Sequence, residues 1–252
     1  MASEAPTRPS IGAAIAKAEQ TARRSLLRNH GGGHAPVSFL ELFFDLVFVF
    51  AITQLSHFLK DNLTAAGFAQ ALVMFLAVWW AWMYTTWATN WADPQRFEVR
   101  VMLILVMLAS LVMAVALPRA FEDHALIFVF AYIAIQLGRT LFMTAILWKP
   151  SHRNGRSMLR IAVWFAVSAV AWVGGALADP AGRLACWALA IGIEYYGPLA
   201  LFPVPFFGRS SASDWDISGS HMAERCGLFI IIALGEGIII TGASFAGGSM
   251  EQ

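Results

Sequence analysis

The chain has 252 residues, 58% hydrophobic and 13% charged, with a mean hydropathy of +0.63. A soluble domain carries about 25% charged residues, so a water-soluble enzyme with an ordinary core is excluded, as are disordered, collagen-like and disulfide-built chains. The net charge of +1 supplies no basic field for nucleic acid.

Residues 1–36 contain much Ala, Arg and Ser and run into Gly31-Gly32-Gly33. Residues 11–28 read either as a short basic amphipathic helix on a membrane surface or as a disordered tail. They are not a cleaved signal peptide: the apolar stretch that follows is too long, contains two acids and lacks a small-residue cleavage site.

From residue 37 the chain alternates between apolar stretches and short polar breaks. A bilayer core of about 30 Å needs about 20 apolar residues in a helix. Seven stretches qualify, near 37–59, 66–90, 99–117, 125–148, 159–178, 183–203 and 222–245. They are separated by Lys60-Asp61-Asn62, Asp93 to Arg96, Pro118-Arg119, Pro150 to Arg156, Asp179-Pro180 and Pro203 to Ser220. A lipid-embedded backbone must satisfy its own hydrogen bonds, and no alternating barrel pattern is present, so the spans read as helices. The expected architecture is an all-α, polytopic transmembrane bundle of about seven spans over 37–246, flanked by a basic tail (1–36) and a short C-terminal tail (247–252). Cys186 and Cys226 fall near opposite membrane faces, which makes a disulfide implausible.

Lys and Arg set the expected orientation. The tail and the second, fourth and sixth loops hold thirteen of them; the opposite side holds Lys60, Arg119 and Arg183. This places the N-terminus in the cytoplasm.

An ionised group at mid-membrane costs about 2.5–3.5 kcal/mol on insertion scales. The residues that would bear this cost are Glu41, Asp45, Arg139, Glu194, Glu224, Arg225 and Glu236, with Gln136 one turn before Arg139. At ~1.5 Å per residue, Asp45, Arg139 and Glu194 lie ~12–14 Å deep and can form one layer. Glu41 and Arg225 share a shallower level, and Glu236 a deeper one with Gln54. Glu41 and Asp45 are four apart and project from one helix face. Two carboxylates that close need a proton or a cation, and Arg139 is the expected cation for Asp45. A static pair fixing helix register, a proton or ion relay, and catalysis all stay open at this point. Gly227, Gly235, Gly237 and Gly242 suit close helix packing or a locally broken helix beside Glu236. Trp79, Trp80 and Trp82 fit lipid-facing packing or the wall of a cavity.

No metal-ligand spacing, phosphate loop or nucleophile elbow is present in the sequence, and neither cofactor nor metal is expected. The lysines are Lys17, Lys60 and Lys149, none inside a span, which removes a retinal Schiff base.

The run Ser38-Phe39-Leu40-Glu41-Leu42-Phe43-Phe44-Asp45-Leu46-Val47-Phe48-Val49-Phe50-Ala51 resembles the opening signature of the bacterial low temperature requirement A family. Thr86-Trp87-Ala88-Thr89-Asn90-Trp91-Ala92-Asp93-Pro94, Ile135-Gln136-Leu137-Gly138-Arg139, and Glu224-Arg225-Cys226-Gly227-Leu228-Phe229 running to Leu234-Gly235-Glu236 agree in order over about 37–246. The resemblance implies a multi-pass bacterial inner-membrane protein, linked by name to growth in the cold and without an established molecular activity. Such proteins are typically longer, so this chain resembles a C-terminally shortened or partial member. Gly237 stands where Ser or Ala is usual, which loosens the carry-over at Glu236. Glu41, Asp45, Arg139, Glu224, Arg225 and Glu236 all fall on motif positions.

Together these readings predict a bilayer-embedded protein that moves a small solute, ion or proton through a polar interior, and that is not an enzyme. The alternatives are a non-transporting structural or stress-adaptation protein and an intramembrane enzyme acting on lipid. Oligomeric state is open, and no nucleic-acid partner is expected.

Overall fold

Ser38 starts the first helix. Its hydroxyl accepts from the Glu41 backbone N–H at 3.3 Å, and the Glu41 carboxylate accepts from the Ser38 backbone N–H at 2.9 Å, a reciprocal capping box. Helix α1 then runs Phe39–Asp61. Thr64 caps α2, Ala65–Trp91. Helix α3, Phe97–Ala116, tightens into a 3₁₀ turn at Leu117–Arg119, where Pro118 cannot continue the α-helical bonding. Helix α4 is Ala125–Trp148, and Ser151 caps α5, His152–Leu177. Pro180 occupies the first turn of α6, Pro180–Leu199, where its missing N–H is harmless. Helix α7 is Gly219–Gly248. The computed structural model describes residues 26–28, 37–211 and 219–248. The two readings of the tail, residues 26–28 apart, and the end of the chain past 248 lie outside the described residues.

The architecture is all-helical, with seven α-helices and no strand among the described residues. Five of them, α1 to α5, are long and apolar enough to cross a membrane. Helix α6 forms but does not reach that standard, because Arg183, Glu194 and several Gly and Pro residues dilute it. Two boundaries differ from the hydropathy reading. Helix α5 begins at His152, because a capped helix runs through two polar turns that hydropathy reads as loop. Helix α6 begins at Pro180, inside the expected Asp179-Pro180 break.

Short connections reverse the chain between successive helices from α1 to α6, and Arg225 near the start of α7 meets Glu41 and Asp45 near the start of α1, so α1, α3, α5 and α7 begin at one end of the bundle, called here the near end. Helix α4 packs along α5, and α5 along α6; α2 touches α1, α4, α6 and α7; α7 leans on α1 and α2. The inside is filled by Phe44, Phe48, Met74, Phe128, Trp172 and Trp187, all under 2% exposed. The outside carries Phe43, Leu105, Phe130, Val170 and Leu199. A surface this apolar suits lipid rather than water. Gly175 of α5 sits tight against α6: a Cβ there would lie 2.5 Å from Cδ1 of Trp187.

Arg183, expected as the first residue of the sixth span, lies one turn into α6 at 8% exposure. Its guanidinium fans over main-chain carbonyls: Glu122 at 2.9 Å, Ala120 and Ala178 at 3.3 Å, and Gly175 at 3.4 Å. These include the free carbonyls that end α5, which need donors. Arg183→Ala should therefore lower stability by roughly 2–3 kcal/mol, the range for hydrogen bonds made by a charged group; thermal unfolding in detergent checks it.

Candidate functional site

Two polar networks occupy the interior, one on each of two faces of α2. The first lies toward the near end. Glu41 and Asp45, one turn apart on α1, flank Arg225 of α7, and all three are fully buried. Arg225 donates through Nε to Asp45 Oδ2 at 3.0 Å and through Nη2 to Asp45 Oδ1 at 2.5 Å, a two-pronged grip. Its Nη1 donates to Glu41 Oε1 at 3.3 Å and to Thr89 Oγ1 at 3.1 Å. Trp82 Nε1 donates to Asp45 Oδ1 at 2.7 Å. The Phe44 ring sits 5.6 Å from the Arg225 guanidinium carbon, a cation–π contact. The second Glu41 oxygen accepts from the Ser38 hydroxyl at 2.9 Å and from Arg28 Nη2 at 3.3 Å. Two carboxylates thus face two guanidiniums.

The second network crosses the middle of the bundle. Arg139 of α4 donates to Thr85 Oγ1 at 3.0 Å and to the Ala81 carbonyl at 3.3 Å, both on α2. The Tyr84 and Phe165 rings lie 5.3 and 5.9 Å from its guanidinium carbon. Arg139 Nη2 donates to Gln136 Oε1 at 2.5 Å, Gln136 Nε2 donates to the Tyr132 hydroxyl at 2.9 Å, and Tyr132 donates to Glu194 Oε2 at 2.5 Å. The other Glu194 oxygen accepts from Ser168 at 2.7 Å and Trp172 Nε1 at 2.9 Å. Glu194 therefore has three donors and, among the described residues, no cation in contact.

The expected pairing of Asp45 with Arg139 is corrected: the cation on Asp45 is Arg225. Depth matching ignores the order of helices around the bundle. Trp82 and Thr89, seven apart on α2, face Asp45 and Arg225; Ala81 and Thr85, four apart, face Arg139. Helix α2 stands between Asp45 and Arg139, and α7 supplies the arginine Asp45 meets. Glu41 and Arg225, matched by depth, do make contact. Of the two readings open for Trp82, lipid-facing packing is overturned: the side chain is fully buried and bonded to Asp45. Trp79 stacks on it, ring centres 5.1 Å apart. Glu224 and Glu236 are half-buried on α7, and neither belongs to the ionic grip on Arg225 or to the chain ending at Glu194.

Sequence reasoning missed several members. Tyr132 precedes Gln136 by four and Arg139 by seven, and His221 precedes Arg225 by four, so a helical-face search from each arginine finds them. Ser168 and Trp172 are one turn apart on α5, but nothing in sequence ties them to Glu194. Arg28 lies outside every span and left no signal.

A bundle with lipid-suited walls and buried ionic networks is a helical membrane protein. The family model for the bacterial low temperature requirement A protein matches residues 36–251, and the chain belongs to that family. An uncharacterized protein of Rhizobium meliloti (strain 1021) is 40% identical over 216 residues, covering 86% of this chain and 53% of that protein. The chain thus spans about half the length of the curated relative it matches. No solved structure matches it.

Removing one partner from a buried ionic group strands the others, typically at about 3–5 kcal/mol. Arg225→Ala should reach that size, because it leaves Asp45 and Glu41 together with one guanidinium. Asp45→Asn should cost less, since the amide still accepts from Trp82. The ordering of the two in detergent thermal melts checks this; equal melting points would oppose it.

Proposed function

We propose that this chain is part of a bacterial inner-membrane transporter that moves a proton or a small solute coupled to one, with Glu194 as the site that takes up and releases the proton. All seven helices cross the bilayer in this reading, and the N-terminus is cytoplasmic, as the bias of Lys and Arg suggests. Helix α6 has 20 residues, long enough for the hydrocarbon core at ~1.5 Å each. Its charged side chains turn inward, so low hydropathy does not prevent it from spanning.

The observation that carries the reading is the separation of Arg139 from Glu194. A pair that only fixes helix register is best placed in direct contact, as Arg225 and Asp45 are. Here the neutral Gln136 and Tyr132 stand between the charges. Glu194 can change its protonation state without breaking an ion pair, while Ser168, Trp172 and Tyr132 hold it in place. A groove of about 470 Å³ between α3 and α4, lined by Met102, Leu105, Gly138 and Phe142 among others, reaches Arg139 from the lipid side.

The near-end network favours the other reading, a non-transporting membrane component. Its direct, two-pronged contacts suit a fixed joint among α1, α2 and α7. The two readings divide on Glu194→Gln, which keeps the shape and the accepting carbonyl but cannot ionise. In proteoliposomes with an imposed pH gradient and an internal pH dye, wild-type protein should dissipate the gradient, and Glu194→Gln should slow it at least about tenfold, as loss of an essential proton carrier does. Arg183→Lys serves as a far-end control with unchanged flux. Equal rates for wild type and Glu194→Gln would overturn the proposal.

A further inference from the structure

Leu26, Leu27 and Arg28 form a short strap across the near end. Two backbone bonds hold it: Arg28 N–H to the Trp91 carbonyl at 2.7 Å, and Asp93 N–H to the Leu26 carbonyl at 2.9 Å. The Arg28 side chain, 10% exposed, turns inward. Its Nη1 donates to the Thr89 carbonyl at 3.3 Å and lies 2.8 Å from His221 Nε2, and its Nη2 donates to Glu41 Oε2 at 3.3 Å. Each atom it meets serves as an acceptor. Thr89 and Trp91 belong to the last turn of α2, whose carbonyls find no donor within the helix and form its negative end.

His221 controls who occupies this crevice. For Nη1 to bond at 2.8 Å, Nε2 must present its lone pair; the ring proton then sits on Nδ1, 3.4 Å from Asn90 Nδ2, and the Asn90 amide turns over to offer Oδ1 to it. The same Nε2 lies 3.3 Å from Glu41 Oε1. A protonated imidazole carries hydrogen on both nitrogens. Nε2 then changes from an acceptor for Arg28 to a donor to Glu41, and two donors oppose each other across 2.8 Å. The exchange conserves charge: Glu41 and Asp45 are balanced by Arg225 together with either Arg28 or the imidazolium. The groups facing His221 are Arg28 on the strap, Glu41 on α1 and Asn90 on α2. Along its own helix Glu224 and Arg225 follow, with Asp45 beyond Arg225 and Asp93 at the strap backbone.

We propose that Glu41, His221 and the Thr89 carbonyl form a cation site with two mutually exclusive occupants, the Arg28 guanidinium of the strap and a proton on His221. The strap is docked while His221 is neutral and released as pH falls and His221 becomes charged. Release bares Glu41 and the end of α2 toward the near end. This inference does not depend on Glu194 and stands whether or not the protein transports.

Hydrogen exchange read by mass spectrometry on the full chain in lipid nanodiscs tests it, with rates converted to protection factors to remove the intrinsic effect of pH. From pH 8 to pH 5, the Arg28 and Asp93 amides should lose protection roughly tenfold or more in one transition. Peptides from α3 should stay protected. His221→Gln accepts from Arg28 and takes no proton, so the strap should stay protected throughout. His221→Asn is a second non-titrating variant should that one fail to fold, and Arg28→Ala should leave the Asp93 amide unprotected at both ends of the range. Strap protection that is flat in wild type, that falls equally in the His221 variants, or that falls together with α3 would overturn the proposal.

Discussion

The interior of this bundle is governed by one constraint: a charge removed from water must find its counter-charge or enough dipoles nearby. Dispersion holds lipid-exposed Leu to lipid about as well as to another helix, so apolar packing alone does not select one order of helices. Arg225, gripped by Asp45 and Glu41, does. Helix α7 can satisfy its guanidinium only by resting on the one face of α1 that carries both acids, at the level where Thr89 and Trp82 of α2 complete the shell. Register, rotation and neighbour are fixed together by a few polar atoms. Arginine suits the role because it stays charged when buried and offers several donors in one plane.

Much of this was legible in sequence. Hydropathy found the helices and placed most of their ends, because a span must be apolar for about the thickness of the hydrocarbon. It failed at α5, where Ser151 starts a helix through two polar turns, and at α6, where Pro180 is a helix starter rather than a break. The costly residues were also legible, since charge inside an apolar stretch is rare by composition. Glu41 and Asp45 share a face by their spacing of four, and their need for a cation followed.

The partners were less legible. Depth along a helix is one coordinate, and contact requires three. Asp45 and Arg139 lie at similar depths yet face opposite sides of α2. Trp82 reads as an ordinary apolar residue, and only the position of Asp45 makes its indole N–H matter. Tyr132 and Ser168 are similar: their hydroxyls gain meaning from a glutamate on a different helix. Arg28 is the extreme case, a tail residue that becomes the fourth charge of the near-end network.

The two networks differ in kind, and α2 explains how they coexist. Its Trp82 and Thr89 serve one network, while Ala81 and Thr85 serve the other, so a single helix insulates a charge-balanced joint from a network whose charges stand apart. In the joint, opposite charges touch, and protonating Asp45 or Glu41 weakens the grip on Arg225 that fixes helix positions. In the central network, Gln136 and Tyr132 carry no charge and accept as well as donate, so their hydrogen bonds can be redrawn around either state of Glu194. Helices α4, α5 and α6 hold that network without relying on Arg225. The same fold can therefore keep a rigid ionic joint at its near end and an adjustable polar centre in its middle, which is the division a membrane protein needs if one part is to respond while the rest keeps its place.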